Sequence, residues 1–337
     1  MPVTLDKVAR RARVSPATVS RVLNDTGRVS ESTRARVLRA VRDLKYHPNL
    51  AARTLAHGRS RTLGLVVSNL RNPFFLDIFR TLEGDAHERG LEVVVANTDY
   101  EPRQLLTHVS LMRGRRLAGL ALIVSETDPG LADMLADSKM PLVVFDEAAP
   151  VANFVNIAVD YASGTRKVVE YLYSLGHRRL AFVGHHTALE PLDVRRRSFL
   201  GTVKSCCTSA ESTTVADEDS PNGGLRATQH LLDSGFQPTA VVCVNDLMAL
   251  GALKALRQRG LRVPQDVSVV GCDNISLSEF AFPPLTTIHI PRDRIGHIIS
   301  EALMPSDGES RVLGRAIEIP SELLIRDSTG APPPEAP

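Results

Sequence analysis

The sequence predicts a small all-α head joined to an α/β body of two doubly wound parallel-sheet halves. Three observations carry that expectation. Residues 1–60 hold 13 Lys+Arg against 4 Asp+Glu, whereas the remainder of the chain holds 27 against 34. Two short amphipathic helical patterns open the chain with little more than Arg13-Val14 between them. Beyond residue 60, short continuous apolar runs alternate with helix-length segments, the pattern of parallel strands covered on both faces.

In the head, Leu5, Val8, Ala9 and Ala12 fall at i, i+3, i+4 and i+7, with Thr4 placed to cap and Asp6 in the first turn. Ser15 is set as the next N-cap, with Pro16 at the first helical position. Val19, Val22 and Leu23 then share one face until Asn24-Asp25-Thr26-Gly27 stops the helix. A third helix follows the cap Ser30 and buries Val37, Leu38, Val41 and Leu44. It ends before Pro48, which disfavours helix at the residue preceding it.

In the body, the runs Leu63–Val67, Leu91–Ala96, Gly119–Val124, Leu142–Phe145, Leu180–Val183, Ala240–Val244 and Val267–Val270 predict buried strands. About 270 residues exceed one comfortable core, so two halves are expected. Residues 331–337, Ala-Pro-Pro-Pro-Glu-Ala-Pro, read as a disordered tail with nothing to pack.

Composition narrows the class. With 337 residues, 43% hydrophobic and 23% charged, the chain is neither fibrous nor wholly disordered. No stretch approaches the roughly 18 apolar residues of a membrane helix, and Met1–Asp6 lacks a basic-then-apolar leader pattern, so the cytoplasm is the expected compartment. The four cysteines show no CxxC spacing, which predicts reduced thiols and no zinc ribbon. Ten scattered histidines make no ligand spacing, and His185-His186 reads as a polar loop pair at the end of a strand. GxxxxGK[ST], GxGxxG after a strand, GxSxG and HExxH are all missing, so no cofactor, metal or catalytic residue is expected.

Two helices joined by a tight turn and followed by a third have the form of a helix-turn-helix, whose second helix enters the major groove. Pro16, Ala17, Ser20 and Arg21 are expected to be exposed near its start. Arg21 suits a bidentate contact to guanine, and Pro16 and Ala17 suit apolar contact to a thymine methyl. A solvated charged surface is the plain alternative for the basic head.

The motifs extend this reading. Val8-Ala9, Val14-Ser15-Pro16-Ala17-Thr18-Val19-Ser20-Arg21-Val22-Leu23-Asn24, Val29-Ser30-Glu31-Ser32-Thr33-Arg34 and Tyr46-His47-Pro48-Asn49 resemble the headpiece of the lactose-repressor (LacI/GalR) family almost position by position. The likeness continues in Asn72-Pro73-Phe74-Phe75, Leu175-Gly176-His177-Arg178, Val244-Asn245-Asp246, Ala249-Leu250-Gly251, Val263–Ser268, Gly271-Cys272-Asp273 and Pro284–Thr287. It covers roughly residues 3–328.

The resemblance implies a helix-turn-helix headpiece over 1–48 and a hinge helix or linker over 49–60. It also implies a periplasmic-binding-protein-like core over 61–330, with halves of about 61–160 plus 291–320 and 161–290 plus 321–330. Thr4, Ser15, Pro16, Ala17, Thr18, Ser20, Arg21, Asn24 and Arg28 would face operator DNA. Asn49, Ala52 and Leu55 would do so from the hinge, with Leu55 as a wedge in the minor groove. Residues 49–57 fall short of the roughly 12–15 residues that an isolated helix needs, so they should be coil until paired; a plain linker is the other reading. The implied effector clamp is Arg195, Asn245 and Asp273, with Asp146, Asp160 and Asp219 as further polar candidates and Phe74 and Phe75 as an apolar wall.

Alternatives stay open at several of these positions. Arg196 or Arg197 could replace Arg195, Asp160 could be a structural turn residue, and Phe74 and Phe75 could be core. Two departures stand out: Glu147 where the family often has arginine, and Asp219 where several members stack an aromatic over their ligand. The implied protein is a repressor that binds a pseudo-palindromic operator as a homodimer or tetramer and answers to a small polar metabolite, a sugar or sugar derivative. A solute-binding protein and an α/β enzyme are rivals from other classes, opposed by the basic head and the empty motif search.

Overall fold

The computed structural model describes residues 3–23, 27–46, 60–126, 128–136, 140–145, 154–186, 190–207, 209–304 and 316–334. The chain divides into two compact units, Met1–Ser60 and Arg61–Pro337. The hinge residues 49–59 lie outside the described residues, as do Asn24 and Asp146.

The first unit holds α1 (Leu5–Ala12), α2 (Pro16–Leu23) and α3 (Glu31–Asp43). Val8, Ala9, Ala12, Val19, Val22, Val37 and Ala40 form its core. Arg13 ends α1 in the left-handed region at φ 53°, so the chain turns sharply into the next helix. Ser15 Oγ then accepts from Thr18 N at 3.2 Å, and Ser30 Oγ accepts from Thr33 N at 3.4 Å, so both predicted serine caps form. Thr4 occupies the N-cap position of α1 without a side-chain capping bond; its carbonyl accepts from Lys7 N instead. Leu38, expected inside, is an exposed side chain, because Val37 and Ala40 take the buried face of α3.

The second unit carries two six-stranded sheets. The first contains β1 (Thr62–Val67), β2 (Glu92–Asn97), β3 (Gly119–Ile123), β4 (Leu142–Phe145), β5 (Val155–Val159) and β11 (Ala316–Ile319), ordered β11-β5-β4-β3-β1-β2. The second contains β6 (Arg179–His185), β7 (Glu211–Asp217), β8 (Ala240–Cys243), β9 (Ser268–Asp273), β10 (Thr286–His289) and β12 (Glu322–Leu324), ordered β12-β10-β9-β8-β6-β7. All pairings are parallel except that of β10 with β12. The chain therefore passes between the sheets after β5, after β10 and after β11.

The intervening helices are α4 (Pro73–Glu88), α5 (Pro102–Gly114), α6 (Pro129–Ala136), α7 (Tyr161–Ser174), α8 (Glu190–Cys206), α9 (Pro221–Asp233), α10 (Asp246–Gln258), α11 (Ser276–Glu279) and α12 (Arg292–Leu303). They cover the sheet faces, so β1, β3, β4, β8 and β9 are buried almost throughout. Edge strand β7 was missed by the apolar-run criterion because its polar sequence Glu211-Ser212-Thr213-Thr214 is largely exposed. Residues 211–217 form β7, and α9 begins soon after at Pro221. At the end of the chain, Pro332 and Pro333 are half-buried, so the tail is partly packed through residue 333.

Helices α9 and α10 approach closely enough to require glycine. A Cβ on Gly251 would drive into the Pro221 carbonyl oxygen, and one on Gly224 into that of Met248. Gly84, in α4, has nothing within 4 Å of such an atom. Gly251→Ala should therefore cost about 1–3 kcal/mol by forcing backbones apart and lower Tm by roughly 2–10 °C. Gly84→Ala should gain about 0.5–1 kcal/mol in the same thermal scan, through helix propensity and a restricted unfolded chain.

Candidate functional site

Parallel strands end on one edge of their sheet, and open α/β sheets bind ligands along that edge. Here the two edges converge on one narrow cavity of about 20 Å³, room for about one water molecule. Asn72, Phe74 and Phe75 follow β1, Tyr100 follows β2, Val124 and Ser125 follow β3, Phe145 ends β4 and Tyr161 follows β5. From the second sheet come Asn245 after β8 and Asp273 at the end of β9, with Arg195 reaching in from α8.

One wall is apolar. The rings of Phe74 and Phe75 meet edge to face at 5.2 Å, and Phe74 meets Phe145 at 6.2 Å. Asn72 Oδ1 caps α4 by accepting from Phe74 N at 3.0 Å, which fixes the two phenylalanines on the first turn. Both are also members of the main core, so the wall and core readings hold together.

The polar groups are each held in place. Arg195 is buried, its guanidinium carbon 3.7 Å from the Tyr161 ring centroid, and Nη1 donates to the Val244 carbonyl at 3.1 Å. Arg196 and Arg197 instead pair with Asp193 at 2.7 and 3.5 Å, so Arg195 is the arginine of the three that lines the cavity. Asn245 caps α10, with Oδ1 accepting from Met248 N at 2.9 Å.

Asp273 is the most constrained group. Its φ of 103° lies in a region that non-glycine residues rarely adopt, and such strain persists only where surroundings over-determine it. Here Arg292 Nη1 donates to its carbonyl and Asn72 Nδ2 donates to Oδ2 at 3.3 Å. Burial pushes its carboxyl up to about 6, against the pull of the Arg195 guanidinium. Behind it, fully buried Asp246 accepts from Thr287 Oγ1 at 2.6 Å and from Ile275 N at 2.8 Å. Burial, and then the charge of Asp273, push Asp246 well above the usual carboxylate range. Asp246 thus ties the start of α10 to the segment after β9, fixing Asn245 relative to Asp273.

Two predicted carboxylates are placed differently. Asp160 caps α7 by accepting from Ser163 N at 2.9 Å and is not among the residues lining the cavity. Asp219 is likewise not among the lining residues but sits beside them, its carboxylate accepting from Asn69 Nδ2 at 3.2 Å, from the Tyr100 hydroxyl and from Asn245 Nδ2. The His185 ring lies tilted against Tyr100 with centroids 5.0 Å apart and stacks on His186 at 4.6 Å. Asn69, Tyr100, Ser125 and Tyr161 were not singled out by sequence reasoning. The signal available for them was their place just beyond the ends of strands.

In the head, Thr4, Ser15, Pro16, Ala17, Arg21 and Arg28 are exposed, while Thr18 and Ser20 are half-buried. The expectation of an exposed Ser20 is thus corrected: it sits beside buried Val19 on α2 and makes contacts of its own. Among the described residues no group of three His, Cys, Asp or Glu side chains could hold a metal ion. No helix among them is long and apolar enough to cross a membrane.

Comparison with known proteins matches residues 4–49 to the family model "Bacterial regulatory proteins, lacI family" and residues 169–329 to a periplasmic binding protein-like domain. The chain is 32% identical over 333 residues to the HTH-type transcriptional repressor PurR of Klebsiella pneumoniae (strain 342), covering 98% of each. It is 33% identical over 331 residues to the HTH-type transcriptional repressor CytR of Escherichia coli (strain K12), covering 98% of this chain and 97% of the relative. A solved lac repressor dimer, bound to operator and the anti-inducer ONPF, superposes with TM-score 0.84 at 30% identity, covering 98% of this chain and 100% of that one.

The position of Asp273 sets a pH signature. Because its folded value lies above the ordinary 3.8, the fold favours the protonated form. Its stabilising contribution is full below about pH 4 and is lost as pH rises through about 6. Asp273→Asn has no proton to lose. Its stability relative to the parent should therefore rise across that window, by up to about 3 kcal/mol, and level off above about pH 7. Denaturant midpoints of both proteins at about pH 4.5, 6 and 7.5 check the slope.

Proposed function

The chain belongs to the lacI family of bacterial regulatory proteins, and we propose that the cavity between its two sheets is where a small polar metabolite, a sugar or sugar derivative, sets its grip on DNA. The chain is a sequence-specific DNA-binding transcriptional repressor responsive to a small-molecule effector, acts as a dimer on a pseudo-palindromic operator, and is not an enzyme. One headpiece buries only about 600–1,000 Å², too little for specific affinity at cellular salt. Two coupled headpieces gain both area and effective concentration. Its cytoplasmic location is part of the same reading.

The observation that carries the effector reading is the convergence of Arg195, Asn245 and Asp273 on a cavity walled by Phe74 and Phe75. A guanidinium, an amide and a carboxylate together offer hydroxyl groups both donors and acceptors, and the rings suit an apolar CH face. A carboxylate at position 219 in place of an aromatic platform favours a flexible polyhydroxylated ligand over a flat purine. Asp160 and Asp146 stand as further proposed effector contacts.

On the DNA side, we assign Ser15, Pro16, Ala17, Thr18, Ser20 and Arg21 of the second helix to the major groove, with Thr4, Asn24 and Arg28 beside them. Asn49, Ala52 and Leu55 are assigned to the minor groove. The exposure of Pro16, Ala17 and Arg21 supports this reading. Coupling follows from linkage: an effector that favours one arrangement of the two halves alters operator affinity by roughly 1–3 kcal/mol.

Arg21→Ala should lose about 1–3 kcal/mol of discrimination at one base pair per half-site, read from binding across an operator library. An unchanged preference would remove Arg21 from the recognition surface. A thermal-shift screen over sugars, sugar phosphates, polyols and nucleosides should find a stabilising ligand among the polyhydroxylated compounds. Arg195→Ala should abolish that shift and the effector's action on operator binding while operator affinity itself persists. A nucleobase as the tightest ligand, or a full response from the variant, would overturn the assignment.

A further inference from the structure

Asp219 comes from the second half of the core, just beyond β7, yet its carboxylate is engaged mostly by the first half. Asn69 Nδ2, beyond β1, donates to Oδ2 at 3.2 Å and approaches the Asp219 carbonyl at 3.4 Å. The Tyr100 hydroxyl, beyond β2, donates to the same Oδ2. Asn245 Nδ2, from Asp219's own half, donates to Oδ1 and so orients the group. Three donors on two oxygens occupy the carboxylate, and Asp219 is 6% exposed.

A second observation bears on the same contact. Asp99 and Tyr100 both have positive φ, 51° and 63°. For a bulky aromatic that conformation is a genuine outlier, maintained only when its surroundings compensate. The compensation is visible: the Tyr100 ring lies against His185 with centroids 5.0 Å apart, and its hydroxyl meets Asp219. Both partners belong to the second half. A strained loop of one half is thereby held by two groups of the other.

We propose that Asp219 is a positioning residue and not an effector contact: with Tyr100 and Asn69 it latches the two halves to each other beside the cavity. Its regulatory meaning rests on the cavity being the effector site; its geometry does not. The bond is charge-assisted and shielded from water, so removing either partner leaves a buried group short of its mate.

The test is hydrogen–deuterium exchange on the full chain without effector, comparing the parent with Tyr100→Phe, Asp219→Asn and the double variant. Tyr100→Phe keeps the ring on His185 and removes only the hydroxyl. Amides of residues 98–101 and 217–220 should exchange about tenfold faster in each single variant. The double variant should be no faster than Asp219→Asn alone, since that substitution already disturbs the bond that Tyr100→Phe removes. Amides of Leu63–Val67, inside the first sheet, should stay at parental rates. Unchanged exchange at these two segments overturns the latch, as does an additive double variant. Acceleration spreading into Leu63–Val67 overturns it too, because that marks a general loss of packing. No ligand enters this experiment, so its failure is distinct from failure of the thermal screen or of Arg195→Ala.

Discussion

Parallel pairing forces the carboxyl end of every strand to the same edge of its sheet, and in this core the two edges face each other across a cavity. The rest of the arrangement follows from that constraint. Each βα loop delivers one or two side chains to the edge, so Asn72, Tyr100, Ser125, Phe145, Asn245 and Asp273 meet although they come from six different strand ends. Because the chain passes between the sheets after β5, β10 and β11, several covalent connections join the two halves beside the cavity. Such a body can change the separation of its halves without unfolding either one, as hinge closure requires.

Of the buried carboxylates at this edge, Asp246, Asp219 and Asp273 have environments that give them different work. Asp246 is enclosed by donors from Thr287 and Ile275 and acts as a strut between α10 and the end of β9. Asp219 is occupied by donors from both halves. Asp273 is held by Asn72 and by Arg292 on its carbonyl, in a strained backbone, with Arg195 and its own burial opposing each other over its charge. A buried carboxylate tolerates ionisation only near a cation or donors, and at Asp273 the Arg195 guanidinium supplies the nearby cation that works against burial.

The division of charge matches a division of labour. The head carries the excess of basic residues, which suits a partner with a phosphate backbone, and it builds its core from only a handful of small aliphatic side chains. The body is mildly acidic and carries the cavity. Allostery in such a chain is a coupling free energy between two sites, so it requires an element with two arrangements that both ligands bias.

What the sequence by itself determined was local. Helix caps at Ser15 and Ser30, the buried faces of α1 and α2, and the interior strands β1, β3, β4, β8 and β9 are all legible, because periodicity and apolar runs depend on neighbours a few residues away. The polar edge strand β7 was illegible by the same criterion, and Leu38 was misjudged because two helix faces competed for one small core. The motif match supplied Arg195, Asn245 and Asp273 as candidates but could not choose among three consecutive arginines. That choice depends on which way α8 turns against its sheet. Only the tertiary structure decided that Asp219 meets Tyr100 and Asn69, that Asn72 meets Asp273 across 201 positions of sequence, and that Asp160 spends its carboxylate on a helix cap. The physical reason is range. A hydrogen bond acts over about 3 Å of space, and nothing in a linear pattern records which distant strand ends the packing of two sheets brings within that distance.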